Sequence, residues 1–206
     1  MLRYCVAVLV GLAGCVSAAF ADPQPIPEDI ARAIARLLCE KADKAEAPIK
    51  IAGDPEKAMG LHEPEVAAAM VVPRTELKAD NLPGVEKQDG EPAGYLFLYK
   101  IAPVVSGKVM AVDKLPTVLL KTDDGVERTV IVLRLALRKE GEQDWKLLVF
   151  GSDKKPLVTS KFRAEANNST LPLSLGTKDI EGDQGTLIVT VFGKYAADLR
   201  MGKAEE

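Results

Sequence analysis

From Pro48 onward the apolar residues of this chain tend to recur at every second position, and that period constrains the fold more than any other feature. In residues 128–138, Ile131, Leu133, Leu135 and Leu137 fall on one side of an extended strand, while Arg134, Ala136 and Arg138 take the other. The first set predicts a core face. A polar turn, Glu140-Gly141-Glu142-Gln143-Asp144, separates this strand from a second β-rich run at residues 145–150, which Gly151-Ser152-Asp153 ends. Two such runs around a short polar turn predict a hairpin.

Further strands are expected at residues 49–52, 68–72, 95–101, 108–112, 117–122, 157–162, 173–177 and 186–192. The stretch Ala67 to Met70 suits a turn of helix equally well, because alanine prefers that state. Residues 78–94 carry Pro83, Gly84, Gly90, Pro92 and Gly94 and read as a long surface loop. After residue 46 no segment has a clear 3.6-residue apolar stripe, so a parallel sheet with helical crossovers is disfavoured. The fold class that follows is mainly β: an antiparallel β-sandwich spanning residues 48–201, with a closed barrel as the alternative.

One amphipathic α-helix is expected ahead of the sheets, over residues 28–47. Ile30, Ile34, Leu37 and Leu38 fall at i, i+4, i+7 and i+8, and Glu28 and Asp29 suit the positive end of the helix dipole. Glu40 and Lys44 can pair one turn apart, and Pro48 stops the helix. The apolar stripe is expected to pack on the β domain. Residues 22–27 form a proline-rich spacer before it, and residues 202–206 read as a charged tail.

The first 21 residues carry a different pattern. Arg3 supplies a positive start, residues 4–16 are predominantly apolar, and Ala19-Phe20-Ala21 before Asp22 is a small-x-small cleavage site. An apolar stretch of that length is shorter than the roughly 20 residues a membrane-spanning helix needs. Export with cleavage between Ala21 and Asp22 is therefore expected, leaving a chain that works in the periplasm or outside the cell. Leu12-Ala13-Gly14-Cys15 offers the alternative, a lipobox in which Cys15 would carry the lipid and the protein would stay on the membrane.

Composition narrows the chemistry. The chain is 47% apolar and 28% charged with a formal charge of −3, which loss of Arg3 would take to −4. Lys and Arg alternate with Asp and Glu along residues 121–163, so the basic face that nucleic acid requires is missing from the pattern. Of the three cysteines, Cys5 and Cys15 lie in the export segment, so Cys39 alone remains and an internal disulfide is excluded in the processed chain. Cys39 is expected as a small buried residue. His62 is the single histidine, beside Glu63 and Glu65, and no G-x-S-x-G or H-E-x-x-H pattern accompanies it.

Acidic residues supply the remaining candidates. Asp179, Glu181 and Asp183 alternate as in a cation loop but lack the EF-hand spacing. Asp123-Asp124-Gly125 fits a hairpin turn. Trp145 is expected in the core with Leu147 and Val149, and Tyr95, Phe97 and Tyr99 on one strand face. A bulge is expected at Phe192-Gly193-Lys194-Tyr195. Asn167 and Asn168 begin overlapping acceptor sequons, which matter only in a host that glycosylates them.

The sequence thus points to an exported, non-catalytic binding or structural module with no cofactor, whose partner is an envelope or extracellular protein or ligand. A carboxylate-based glycan hydrolase is the enzymatic alternative, and it requires two acids facing each other across a groove. A lipid-anchored envelope interaction protein, attached through Cys15, is the third reading.

Overall fold

A computed structural model describes residues 23–45, 47–64, 66–78, 85–121, 125–141, 144–165 and 169–205. Its elements are β1 (Gln24–Pro25), α1 (Glu28–Asp43), β2 (Met59–Glu63), β3 (Ala67–Pro73), β4 (Glu91–Tyr99), β5 (Ile101–Val105), β6 (Lys108–Val109), β7 (Thr117–Lys121), β8 (Glu127–Lys139), β9 (Trp145–Phe150), β10 (Val158–Lys161), β11 (Arg163–Ala164), β12 (Leu173–Glu181), β13 (Gln184–Val191) and β14 (Tyr195–Lys203).

All pairings between these strands are antiparallel, and they build two sheets. The first runs β1-β2-β3-β4-β8-β9-β10, and the second β12-β13-β14-β5-β6. Neither closes into a barrel. The long β8 organises the first sheet: β4 lies along one edge, while the other edge takes β7 at residues 127–131 and β9 at residues 134–139. In the second sheet, β14 likewise has β13 on one edge, and β11 and β5 at opposite ends of the other.

Two corners tie the sheets together. Lys100, with φ of 59°, separates β4 in the first sheet from β5 in the second, and Phe162 separates β10 from β11 in the same way. A strand that changes sheets at a bend is how a sandwich closes its corners. Between the layers lie Leu96, Leu98, Ile131, Leu133, Leu135, Leu137, Leu147 and Val149 from the first sheet, facing Leu173, Leu187, Val189, Val191, Leu199 and Met201 from the second. Trp145 packs against the rim of this core, partly buried.

The opposite face of the first sheet is covered too. Met70, Val72, Tyr95, Phe97, Val130 and Val132 meet Ala31, Ala35, Leu38, Cys39 and Ala42 of α1, so the molecule has three layers: helix, sheet, sheet. The expected docking of the helix is found, but on a rotated stripe. Ile30 and Leu37 are about half exposed, at 48% and 49%, and Ile34 is half-buried. Small side chains face the sheet instead because they let the helix backbone approach closely, while Leu38 fills the remaining depth. Burying that one leucine contributes about 1.5–3 kcal/mol.

Several expected boundaries change. Residues 49–52 form no strand; they cross the outer face as an irregular segment, with Ile51 buried and Ile49 half-buried against Ala136, Leu148 and Phe150. β2, absent from the expected strands, pairs with both β1 and β3, so part of the proline-rich spacer is strand. The alanines of β3 are strand because β2 and β4 pair on both sides, and pairing overrides helical propensity. The expected 78–94 loop yields its last residues to β4, where a bulge between Pro92 and Gly94 accommodates the proline.

Helix α1 ends at Asp43 rather than residue 47. At the other terminus, β14 adds a strand absent from the expected set, and Gly202 and Lys203 belong to it rather than to a tail. Phe192 and Gly193 do not bulge a strand. Their φ values of 54° and 64° make the tight turn joining β13 to β14, closed by the Lys194 amide donating to the Val191 carbonyl at 3.1 Å. Adjacent antiparallel β7 and β8 fit the hairpin expected around Asp123-Asp124-Gly125, of which Gly125 is described, with φ of 80°.

Candidate functional site

A large concavity opens where α1 ends. The chain leaves the helix at Asp43, passes Lys44 and Ala45, and crosses the outer face of the first sheet as residues 47–52, enclosing an open pocket of about 1180 Å³. Pro48 keeps this crossing non-helical, and its far end is pinned to the sheet. The Asp54 amide donates to the Pro73 carbonyl at 2.7 Å and the Thr75 amide to the Ala52 carbonyl at 2.8 Å. One wall is aliphatic, made of Ala47, Pro48, Ile49 and Ile51; the floor is Tyr95 and Arg134; Lys44, Lys50, Ser152 and Lys154 also line the pocket.

Arg134 is the unusual member. It is 1% exposed, on the helix side of β8 between Val132 and Ala136. Its Nη2 donates to the Ala42 carbonyl at 3.4 Å, a long contact to a carbonyl at the C-terminal end of α1 that also accepts from the Ala45 amide at 3.2 Å. Its guanidinium carbon lies 5.7 Å from the centre of the Tyr95 ring. Nε and Nη1 are buried and have no hydrogen-bond partner among the described residues. Burial pulls the guanidinium down from its ordinary pKa, opposed by the fields of Tyr95 and Asp43.

Tyr95 and Asp43 form the rest of the polar floor. The Tyr95 hydroxyl lies 2.7 Å from Asp43 Oδ1 and 2.9 Å from the Ile51 carbonyl, so its single hydrogen is directed toward two acceptors. Burial, then the hydrogen bond to Asp43, pushes this phenol well above its ordinary pKa, so it stays protonated. Cys39 sits one turn earlier on α1; burial and then Asp43 raise its thiol to about 12. Such a thiol is not a nucleophile at neutral pH.

The candidates from sequence lie elsewhere and do not converge. His62 is half-buried in β2, opposite Gln24 and Ala68, and strand alternation turns Glu63 to the other face. Asp179 lies in a bulge of β12 with φ of 51°, Glu181 pairs with Gln184, and Asp183 is in the turn between β12 and β13. All three acids are exposed, and no group of three potential ligands gathers among the described residues. Cys15, Ala21, Asp22, Asn167 and Asn168 lie outside the described residues. Tyr99 is half-buried and accepts a hydrogen bond from Arg128 Nη1 at 3.0 Å.

The strand alternation places Arg134 on the second face of β8 and marks no site there. The pattern carries a signal: Val130, Val132 and Ala136 share its parity, so over residues 130–137 both faces of β8 are apolar apart from one arginine. A strand apolar on both faces is buried on both. A charge at such a position is either paired or waiting for a partner.

Compared with protein-family models, with curated proteins and with solved structures, the chain has no significant match. What the pocket can do therefore follows from its own chemistry. It places buried cationic N–H donors beside an aliphatic wall, which suits holding an anionic group. Asp43 is the single acid lining it among the described residues, and that acid already accepts from Tyr95.

Proposed function

We propose that this chain is an exported, non-catalytic β-sandwich module that binds a ligand in the pocket at the C-terminal end of α1. The observation carrying this reading is Arg134, a fully buried guanidinium lining an open pocket with Nε and Nη1 unpartnered. Leaving buried donors unmet costs about 1–3 kcal/mol, and a bound acceptor recovers that cost. The glycan-hydrolase alternative draws no support from this pocket, because a second facing carboxylate is needed and Asp43 is the one acid among the described lining residues.

Export rests on the N-terminal pattern of Arg3, the apolar residues 4–16 and the Ala19-Phe20-Ala21 site. Among the described residues, no helix is long and apolar enough to cross a membrane. Expression of the full chain in a Gram-negative host, followed by fractionation and intact-mass measurement, tests this half of the reading. A periplasmic product beginning at Asp22 is expected. A product beginning at an acylated Cys15 would make it a lipid-anchored protein, and a full-length product in the cytosol would defeat export altogether. Saturable binding of any small molecule that shifts Tyr95 and Arg134 resonances tests the binding half.

A further inference from the structure

Resting on the reading of this pocket as a binding site, we infer that its ligand is a small organic oxyanion with an aliphatic body. The oxyanion, a carboxylate or a phosphate monoester, sits on Arg134, and the aliphatic body lies on Pro48, Ile49 and Ile51. The charge around the pocket carries the first half. Among the described residues, Arg134, Lys44, Lys50 and Lys154 line it against one carboxylate, Asp43. Lys44 is paired to Glu40 at 2.8 Å, whereas Lys50 and Lys154 have no ion pair among the described residues.

Arg134 distinguishes a built site from a merely basic surface. A guanidinium presents five donors in a planar fork that matches the oxygens of carboxylate and phosphate. Here Nη2 reaches a helix-end carbonyl, while the Nε hydrogen and both Nη1 hydrogens are left over; those two nitrogens are buried beside the pocket, and the oxyanion reaches them when the Arg134 side chain turns toward it. The low-dielectric surroundings that make those donors costly when unmet also strengthen their bonds to an anion. Neutral acceptors would meet the hydrogen bonds but not the charge.

The aliphatic wall carries the second half. Ala47, Pro48, Ile49 and Ile51 offer apolar surface next to the guanidinium, and a free inorganic anion would leave that surface uncovered. Pockets that bind small molecules commonly combine apolar walls with a few polar anchors in this manner. Lys50 and Lys154, both exposed, act as the attracting rim.

The test uses the mature protein and four probes: hexanoate, hexyl phosphate, hexanol and inorganic phosphate. Calorimetry and the Arg134 ¹⁵Nε resonance read binding. Saturable binding of hexanoate or hexyl phosphate is expected, at least about tenfold tighter than hexanol or inorganic phosphate, and the tighter of the two identifies the headgroup. Arg134→Met abolishes it. Because that residue is buried, the exposed double variant Lys50→Glu/Lys154→Glu provides the independent check, weakening the preferred probe by about tenfold without loss of fold.

Hexanol binding as tightly as hexanoate and hexyl phosphate would overturn the oxyanion while leaving the binding-module reading intact. Inorganic phosphate matching hexyl phosphate would overturn the aliphatic body. Failure of all four probes to move the Arg134 resonance would overturn this inference, whereas the broader reading falls only if a wider ligand screen leaves the pocket resonances unmoved as well.

Discussion

The guanidinium carbon of Arg134 stands 5.7 Å from the centre of the Tyr95 ring, and the hydroxyl of that same tyrosine reaches back to Asp43 at the end of α1. Helix end, crossing segment and sheet therefore meet on two side chains from neighbouring strands. Tyr95 and Arg134 are direct cross-strand partners in the register of β4 and β8.

Arg134 carries a stability cost in the unliganded protein. Arg134→Met keeps much of the volume and removes buried donors that lack acceptors, so it is expected to stabilise the protein by about 1–3 kcal/mol. Urea unfolding of the two proteins checks this. A variant less stable than the native chain would mean that the contacts to Ala42 and Tyr95 outweigh the cost of the unmet nitrogens.

Tyr95→Phe removes the hydroxyl shared by Asp43 and Ile51 while leaving the ring over Phe97, whose centroid is 5.4 Å away. A loss of about 1–2 kcal/mol is expected, with the Ile51 carbonyl left short of a donor. Hydrogen exchange should quicken along residues 47–52 before it does in β8, because the crossing segment is what the hydroxyl anchors. Uniform acceleration through both would refute that assignment.

The sandwich was legible because β8 and β9 alternate cleanly, and their inward residues need only a second sheet to bury them. The helix was legible as well, but its buried face was not. Large aliphatic residues marked Ile30 and Leu37, whereas close packing selected Ala31, Ala35 and Ala42, whose small volume carries little hydropathic signal. β14 escaped notice because Ala196, Ala197 and Gly202 pack by fitting, and Arg200 and Asp198 interrupt the apolar run. The pocket was invisible for a different reason: it depends on residues 47–52 crossing a sheet face that the pattern of β8 had assigned to Arg134 and Arg138.

Cys39 gives a pH signature. Its folded-state pKa of about 12 lies above the ordinary 9.0, so burial of the neutral thiol stabilises the fold fully below pH 9. Between pH 9 and about 12 the unfolded chain releases a proton that the folded chain retains, and stability falls as pH rises. Cys39→Ala should flatten that decline in chemical denaturation measured at pH 8 to 11, after allowance for Tyr95, which shifts in the same direction. A thiol-specific disulfide reagent should leave Cys39 unmodified at pH 8 until denaturant is added. Rapid labelling of the native protein would show the thiol to be open.

Cys39 also sets the spacing between α1 and the end of the crossing segment. A β-carbon at Gly53 would lie 2.8 Å from the Cys39 sulfur, closer than side chains pack, with Val72 in ordinary contact at 3.4 Å. Gly53 does not hold a left-handed conformation, so the effect of Gly53→Ala is steric rather than torsional. A cost of about 1–3 kcal/mol is expected from overpacking. In a Cys39→Ala background the sulfur is gone, and the same substitution should cost at least about 1 kcal/mol less, a coupling that a double-mutant cycle in urea resolves. Strict additivity would mean that the helix shifts to admit the methyl group, and the pocket wall beside Ala52 would then shift with it.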